Sequence, residues 1–138
     1  MKAKAQARLE TLCCLFGLPV PILRFREYGE TGWYRYKTKR RGCKVIGTHK
    51  QFISVGGRNF MGREHHPMWE PCLLHEFAHY LTHSRADFAP NRTGDHGPAF
   101  HRALTDVAEA WYGDAGRYPW QHEYKSLAAA GPRPSVDF

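Results

Sequence analysis

The 138-residue chain carries 20 Lys and Arg against 13 Asp and Glu, a formal net charge of +7, and 42% of its residues are hydrophobic. This length suits one compact domain with a hydrophobic core, and the composition excludes disordered and fibrous proteins. With no membrane-length apolar run, no secretory segment and no CxxC pair, we expect a single domain over 1–138, with a flexible tail from about 132, that lies in the cytoplasm and has no membrane partner.

Residues 3–16 predict a first helix. They are rich in helix-forming residues, and the apolar positions Ala7, Leu12, Leu15 and Phe16 fall near one face. Gly17 and Pro19 then end the pattern.

The segment from Trp33 to Val55 predicts a three-stranded antiparallel sheet. In its first strand, "WYRYKTK", side chains alternate between the two faces of the sheet. Trp33 shares a face with Arg35 and Lys37, whereas Tyr34 lies on the opposite face. The runs "CKVIGTH" and "QFISVGG" supply the two further strands.

The first strand and the turn after it are also the most basic part of the chain, which favours an anionic partner such as DNA. The candidate nucleic-acid contacts are Tyr34, Tyr36, Lys37, Lys39, Arg40 and Arg41. A solvated basic face whose tyrosines only pack the sheet is the alternative interpretation.

Three more helices are predicted after a loop that spells "RNFMGREHHP". The first runs from about Glu70 to Thr82, with a proline suited to its first turn. The second begins at about Pro98, presents an apolar stripe and ends near Gly113. That stripe consists of Phe100, Leu104, Val107, Ala108 and Trp111. The third covers about 120–130.

The helix over 70–82 contains a His-Glu-x-x-His pattern within an apolar sequence, "LLHEFAHYL". His75 and His79 are four residues apart, so their imidazoles leave one helix face a turn apart and can bind one Zn²⁺. Glu76 beside them has the position of the general base for a zinc-bound water. Burying such groups unpaired costs about 2–7 kcal/mol each, which argues against a role in packing alone.

A catalytic zinc site needs a third protein ligand. His83 is excluded, because eight residues of helix separate it from His75 by about 12 Å. His96, just before the Pro98 helix, is the preferred candidate, while His101 is expected to be solvated. An acid from the following helix is the alternative; the candidates are Glu109 and Asp106.

"HEFAH" followed after sixteen residues by "HGPAFHRAL" resembles the SprT-like zinc metallopeptidases, whose core is HExxH plus a downstream HGxxF/W segment. The resemblance implies a zincin-like α+β domain with a helix and a small sheet before the metal helix. It also implies that His75, His79 and His96 bind one Zn²⁺ and that Glu76 is the catalytic base. Gly97 and Phe100 fill the remaining motif positions. The chain is expected to be a catalytic domain alone, without the zinc ribbon or DNA-binding extensions of some members.

The expected function is therefore a zinc metallopeptidase that hydrolyses peptide bonds in protein or peptide substrates, including proteins associated with nucleic acid. Two alternatives are a non-catalytic, zinc-stabilised module that binds nucleic acid or protein, and a zinc hydrolase of a non-peptide substrate. Glu76 favours catalysis, because a structural zinc ion needs no base beside it.

Overall fold

The computed structural model describes residues 2–26, 33–41, 44–56, 59–61, 64–66, 69–86 and 96–118, with strand side chains at 22–26, 34–35 and 51–55. Over these residues the fold is α+β, as predicted. Its elements in chain order are α1 (Lys2–Phe16), β1 (Ile22–Arg26), β2 (Trp33–Arg41), β3 (Lys44–Gly56), β4 (Asn59–Met61), β5 (Glu64–His66), α2 (Trp69–Arg85), α3 (Pro98–Tyr112) and a 3₁₀ turn (Ala115–Arg117).

The main sheet is mixed, so the prediction of an antiparallel sheet is wrong. Its strand order is β1-β3-β2, with β2 antiparallel and β1 parallel to β3. The two predicted strands "CKVIGTH" and "QFISVGG" form the single strand β3, and the third strand is the unpredicted β1. Alternation predicts which face a residue takes but not the direction of a neighbouring strand, which explains the error.

A second, two-stranded sheet lies where a loop was expected. Asn59–Met61 pairs antiparallel with Glu64–His66. Strands of three residues are too short to show a period-two pattern, so the sequence carries little signal for them.

Helix α1 forms where it was predicted but buries a different stripe. Ala5, Leu9, Leu12 and Cys13 are buried, whereas Ala7 is exposed and Leu15 is 58% exposed. The buried set follows the i, i+4, i+7, i+8 spacing of one helix face. The predicted set combined Leu12 with residues from the neighbouring face.

Helices α2 and α3 match the predicted starts and stops closely. Helix α3 begins with Pro98 as its first residue, and Gly113 caps its C-terminus with φ 79° and an N–H that donates to the Glu109 carbonyl. The predicted apolar stripe of α3 is confirmed, since four of its residues are buried and Trp111 is half-buried. The predicted helix at 120–130 and the tail lie outside the described residues. None of the described helices has the length and apolarity needed to cross a membrane.

Helix α2 is the centre of the hydrophobic core. The ring of Phe77 lies 5.8 Å from that of Phe16 in α1, and the ring of Tyr80 lies 5.5 Å from that of Tyr34 in β2. On the α3 side, Glu70 accepts hydrogen bonds from Trp111 Nε1 at 2.9 Å and from the Tyr112 hydroxyl at 3.0 Å. The helix that carries the HExxH pattern is thus held from three sides, which limits the movement of its side chains.

Candidate metal centre

Three histidines from two elements converge on one point, as the sequence predicted. His75 and His79 project from α2, and His96 lies two residues before α3. Their candidate ligand nitrogens all lie within 4.8 Å of one another, and Nε2 of His79 is 3.0 Å from Nε2 of His96. The group can therefore hold one metal ion.

The three imidazoles differ in their exposure to solvent. His79 is buried, His75 is half-buried and His96 is exposed. The group is therefore enclosed by protein at His79 and reaches solvent at His96. A ligand could approach from that side without any rearrangement of the core.

The environment of His79 keeps its imidazole neutral. Burial, followed by repulsion from the charged forms of His75 and then His96, lowers the pKa of His79 to about 3. A metal ligand must be a neutral imidazole, because protonation removes the lone pair that binds the ion. At neutral pH the most buried member of the group is therefore ready to bind a metal.

The donor set fits zinc. Nitrogen ligands about 2.0–2.1 Å from a tetrahedral zinc ion lie about 3.3 Å from one another. The distance between Nε2 of His79 and Nε2 of His96, 3.0 Å, is near this value, and all the candidate ligand nitrogens lie within 4.8 Å of one another. Three imidazoles also leave one position of a tetrahedral ion for water or substrate, as catalytic zinc sites require.

Phe100 packs against all three imidazoles. Its ring is stacked on His79 at a centroid distance of 4.3 Å and lies 4.9 Å from His75 and 4.7 Å from His96. The side chain is 1% exposed. In the sequence, Phe100 belongs to the apolar stripe of α3 and to a motif position. Its contact with the three imidazoles was not predicted, because helical periodicity does not show what lies across a helix interface.

Glu76 lies in the same turn of α2, between the two histidines in sequence, and is only 6% exposed. Because the packing around a buried side chain leaves little free space, its carboxylate is held in few rotamers.

Two histidines outside the group, His83 and His101, are buried. His83 is buried, and its Nδ1 lies 2.8 Å from the hydroxyl of Tyr34, a hydrogen bond that ties β2 to α2. The expectation of a solvated His101 is wrong: His101 is 3% exposed, and its ring is 5.5 Å from that of Phe100. The α3 stripe is wider than the sequence pattern indicated, which explains the error.

The acidic alternatives for the third ligand lie elsewhere. Asp106 Oδ2 forms an ion pair at 2.9 Å with Arg85 at the end of α2, and Glu109 is exposed. The metal group contains His96 and neither of these acids.

The six candidate nucleic-acid contacts all lie on β2, and the structure separates Tyr34 from the rest. Tyr34 is 6% exposed and packs on Tyr80 and His83, so its ring is not available to stack on a base. The packing alternative therefore describes Tyr34. The structure gives the backbone pairing with β3 for the other five candidates, which are Tyr36, Lys37, Lys39, Arg40 and Arg41.

Tyr80, a residue type able to stabilise an oxyanion, is a core residue. Its hydroxyl donates to the carbonyl of Pro19 at 2.6 Å, and burial, with a smaller contribution from nearby Cys13, raises the pKa of its phenol. Of the other residues of such types, Arg63 lies outside the described residues, and His65 and His66 are described only through the backbone of β5.

No protein family model, no curated protein and no solved structure matches this chain. The resemblance to the SprT-like metallopeptidases therefore depends on the motif residues themselves and on their convergence around one point.

Replacing Phe100 with Leu is expected to weaken zinc binding about 10–100-fold, the usual effect of losing a residue that orients metal ligands. Leucine keeps the site apolar but removes the flat ring stacked on His79. Zinc affinity is measured by competition with a chromophoric chelator. Val107→Ala, which alters a buried residue of the same helix, is the control and should lower thermal stability while leaving zinc affinity unchanged.

The metal-free protein is expected to lose stability as the pH falls below about 6.5. The folded-state pKa of His79, about 3, is lower than its unfolded value of 6.5, so between these values the unfolded chain binds more protons. The stability that depends on a neutral His79 is fully present above pH 6.5. At pH 5 the free energy of unfolding is lower by about 2 kcal/mol. Urea unfolding of the protein in the presence of a chelator, at pH 7 and at pH 5, measures this difference in the free energy of unfolding. The variant His79→Gln should show a smaller difference between the two pH values.

Proposed function

We propose that the protein is a zinc-dependent peptidase of the SprT-like type. The observation that supports this most strongly is the convergence of the His75, His79 and His96 nitrogens within 4.8 Å, with the buried Glu76 in the same helical turn. A site that only stabilises a fold would need a closed set of four ligands and no carboxylate base.

Each residue of the site would have a separate role in the reaction. The three imidazoles would hold the ion, and Phe100 would keep their rings in place. When bound, zinc acts as a Lewis acid toward a carbonyl and makes water a stronger nucleophile. Glu76 would take the proton released by the attacking water on a carboxylate oxygen and then donate it to the nitrogen of the leaving amine.

The direct test is cleavage of an unfolded protein substrate by the purified chain, followed by mass spectrometry. We expect cleavage with stoichiometric zinc, loss of cleavage in excess chelator and recovery when zinc is restored. Casein and a basic DNA-binding protein, each tested with and without single-stranded DNA, would show whether nucleic-acid-associated substrates are preferred.

The alternatives predict different results in the same assay. A zinc hydrolase of a non-peptide bond would leave both proteins intact yet hydrolyse an ester such as p-nitrophenyl acetate in a Glu76-dependent manner. A zinc-stabilised binding module would bind zinc and gain thermal stability from it but would hydrolyse neither type of substrate.

A further inference from the structure

Strand β1 forms one edge of the main sheet. It pairs with β3 over Ile22–Arg26, and among the described residues no other strand lies beside it. Backbone groups alternate in direction along a strand, so the N–H and C=O groups of every second residue of β1 point away from β3. An edge of this kind can accept one more strand from another chain.

The exposed large hydrophobic side chains of the described part of the chain come from one short segment that leads into this edge. They are Leu15, Val20 and Ile22, which are 58%, 48% and 47% exposed. Residues 11–23 contain no charged side chain. The buried Tyr80 donates its hydroxyl to the Pro19 carbonyl at 2.6 Å, which ties the segment to α2. Exposed apolar side chains grouped in this way indicate a protein-binding surface.

The register places the two arginines of β1 on the face of the sheet away from α2. Leu23 is paired with Ile53, which is paired with Tyr34, and the Tyr34 ring packs on α2. Because side chains alternate along a strand, Arg24 and Arg26 lie on the opposite face, where both are exposed. We call Ile22–Arg26 the β1 edge.

These two arginines have no acidic neighbour in the main sheet, because its three strands contain no Asp or Glu. The guanidinium of Arg24 lies 5.3 Å from the centroid of the Phe52 ring. This contact holds the guanidinium over the outer face of the sheet, and a stacked guanidinium still presents its N–H groups to a carboxylate. A negatively charged strand beside β1 would therefore gain ion pairs that the sheet itself does not provide.

The alternation along β1 indicates which partner fits it. In a sheet, a residue of an added strand lies on the same face as the residue with which it is paired. Acidic residues of a partner would lie beside Arg24 and Arg26 on the outer face. Apolar residues would lie on the inner face, beside Leu23 and the half-buried Phe25. The matching segment is an extended chain in which acidic and apolar residues alternate.

A second copy of the chain fits this edge poorly. Each copy has a formal net charge of +7, so two copies repel each other. Full antiparallel overlap of two β1 strands would also place Arg24 opposite the same residue of the other copy, and like charges in opposite positions destabilise a sheet. Charged side chains on an edge strand prevent such self-pairing. The same charges favour an acidic partner.

We propose that the β1 edge binds an extended acidic segment of another protein as an added strand, and that Val20 and Ile22 contact apolar residues at one end of it. The metal group lies between α2 and the start of α3, whereas the neighbours of β1 are β3 and α1. The segment would be held at this edge and not cleaved. The inference does not depend on the proposed peptidase activity, and binding should be the same with zinc and with chelator.

The test is fluorescence anisotropy of a labelled peptide of about eight residues with the full chain, in about 50 mM NaCl, where exposed ion pairs are only partly screened. The acidic peptide alternates Glu with Val, and a basic peptide alternates Lys with Val. Arg24→Glu with Arg26→Glu should weaken binding of the acidic peptide about 10–100-fold, because two attractions become repulsions. The same variant should gain binding to the basic peptide, which also shows that it is folded.

The matched control is Lys2→Glu with Lys4→Glu, which makes the same change in net charge at two exposed residues of α1. It should bind the acidic peptide nearly as the parent does. Equal weakening by the two double variants would overturn the proposal, because it would show a general effect of charge. Absence of binding to the acidic peptide at about 0.5 mM protein, which detects even weak complexes, would also overturn it.

Two N-methylated forms of the acidic peptide separate strand addition from charge attraction alone. One carries N-methyl groups on its Glu residues and the other on its Val residues, so each loses the N–H donors of one edge. One form should fail to bind, because only one edge of an added strand faces β1. Equal binding of both forms would contradict strand addition. Binding of the parent to phosphatidylserine vesicles without binding to the acidic peptide would assign this surface to lipid and overturn the proposal.

Discussion

Replacing Glu76 with Gln is expected to leave zinc binding intact and to lower kcat/KM for peptide cleavage about 10²–10⁴-fold, the range attributed to a general base. The amide has nearly the shape of the carboxylate, so the packing around this buried side chain is retained. It cannot accept the proton of the attacking water. Zinc content is measured by atomic emission and cleavage by mass spectrometry on the same preparation.

The matched control is Glu109→Gln, the same chemical change at an exposed position of α3 outside the metal group. It should change neither zinc content nor cleavage. Glu76→Asp should retain a small fraction of activity, because the shorter side chain keeps the charge but holds it farther from the water. Full activity of Glu76→Gln would show that another group is the base and would contradict the proposed mechanism.

Much of the metal group could be predicted because its parts are local. The positions of His75, Glu76 and His79 follow from helical periodicity once α2 is recognised, and α2 is apolar enough to be recognised. His96 required a spatial inference, namely that the chain returns to α2 before α3. Its place just before Pro98 made that inference possible, since Pro suits the start of a helix and so locates the turn.

The sheet was less predictable, because its errors concern relations between distant segments. The parallel pairing of Leu23 with Ile53 joins residues far apart in sequence, and no local pattern determines its direction. The same limit applies to Tyr34, whose ring is covered by Tyr80 and His83 of α2, residues more than 40 positions away in the sequence.

Replacing His96 with Ala is expected to lower zinc affinity more than 100-fold, because even groups that only orient a metal ligand contribute about 10–100-fold. The exposed position of His96 makes this a clean test, since removing an exposed side chain costs little folding free energy. The two remaining imidazoles, on one turn of α2, should retain only weak binding. Isothermal titration of the metal-free protein with zinc measures the change.

The outcome also decides between the histidine and the acidic alternatives for the third ligand. Glu109→Ala and Asp106→Asn remove the acids that an Asp or Glu ligand would require, and both should leave zinc affinity unchanged, although Asp106→Asn should lower thermal stability through loss of the ion pair with Arg85. A large loss of zinc affinity in Glu109→Ala, with little change in His96→Ala, would mean that the SprT-like assignment is wrong. If all three variants retained full affinity, zinc would bind somewhere other than this group.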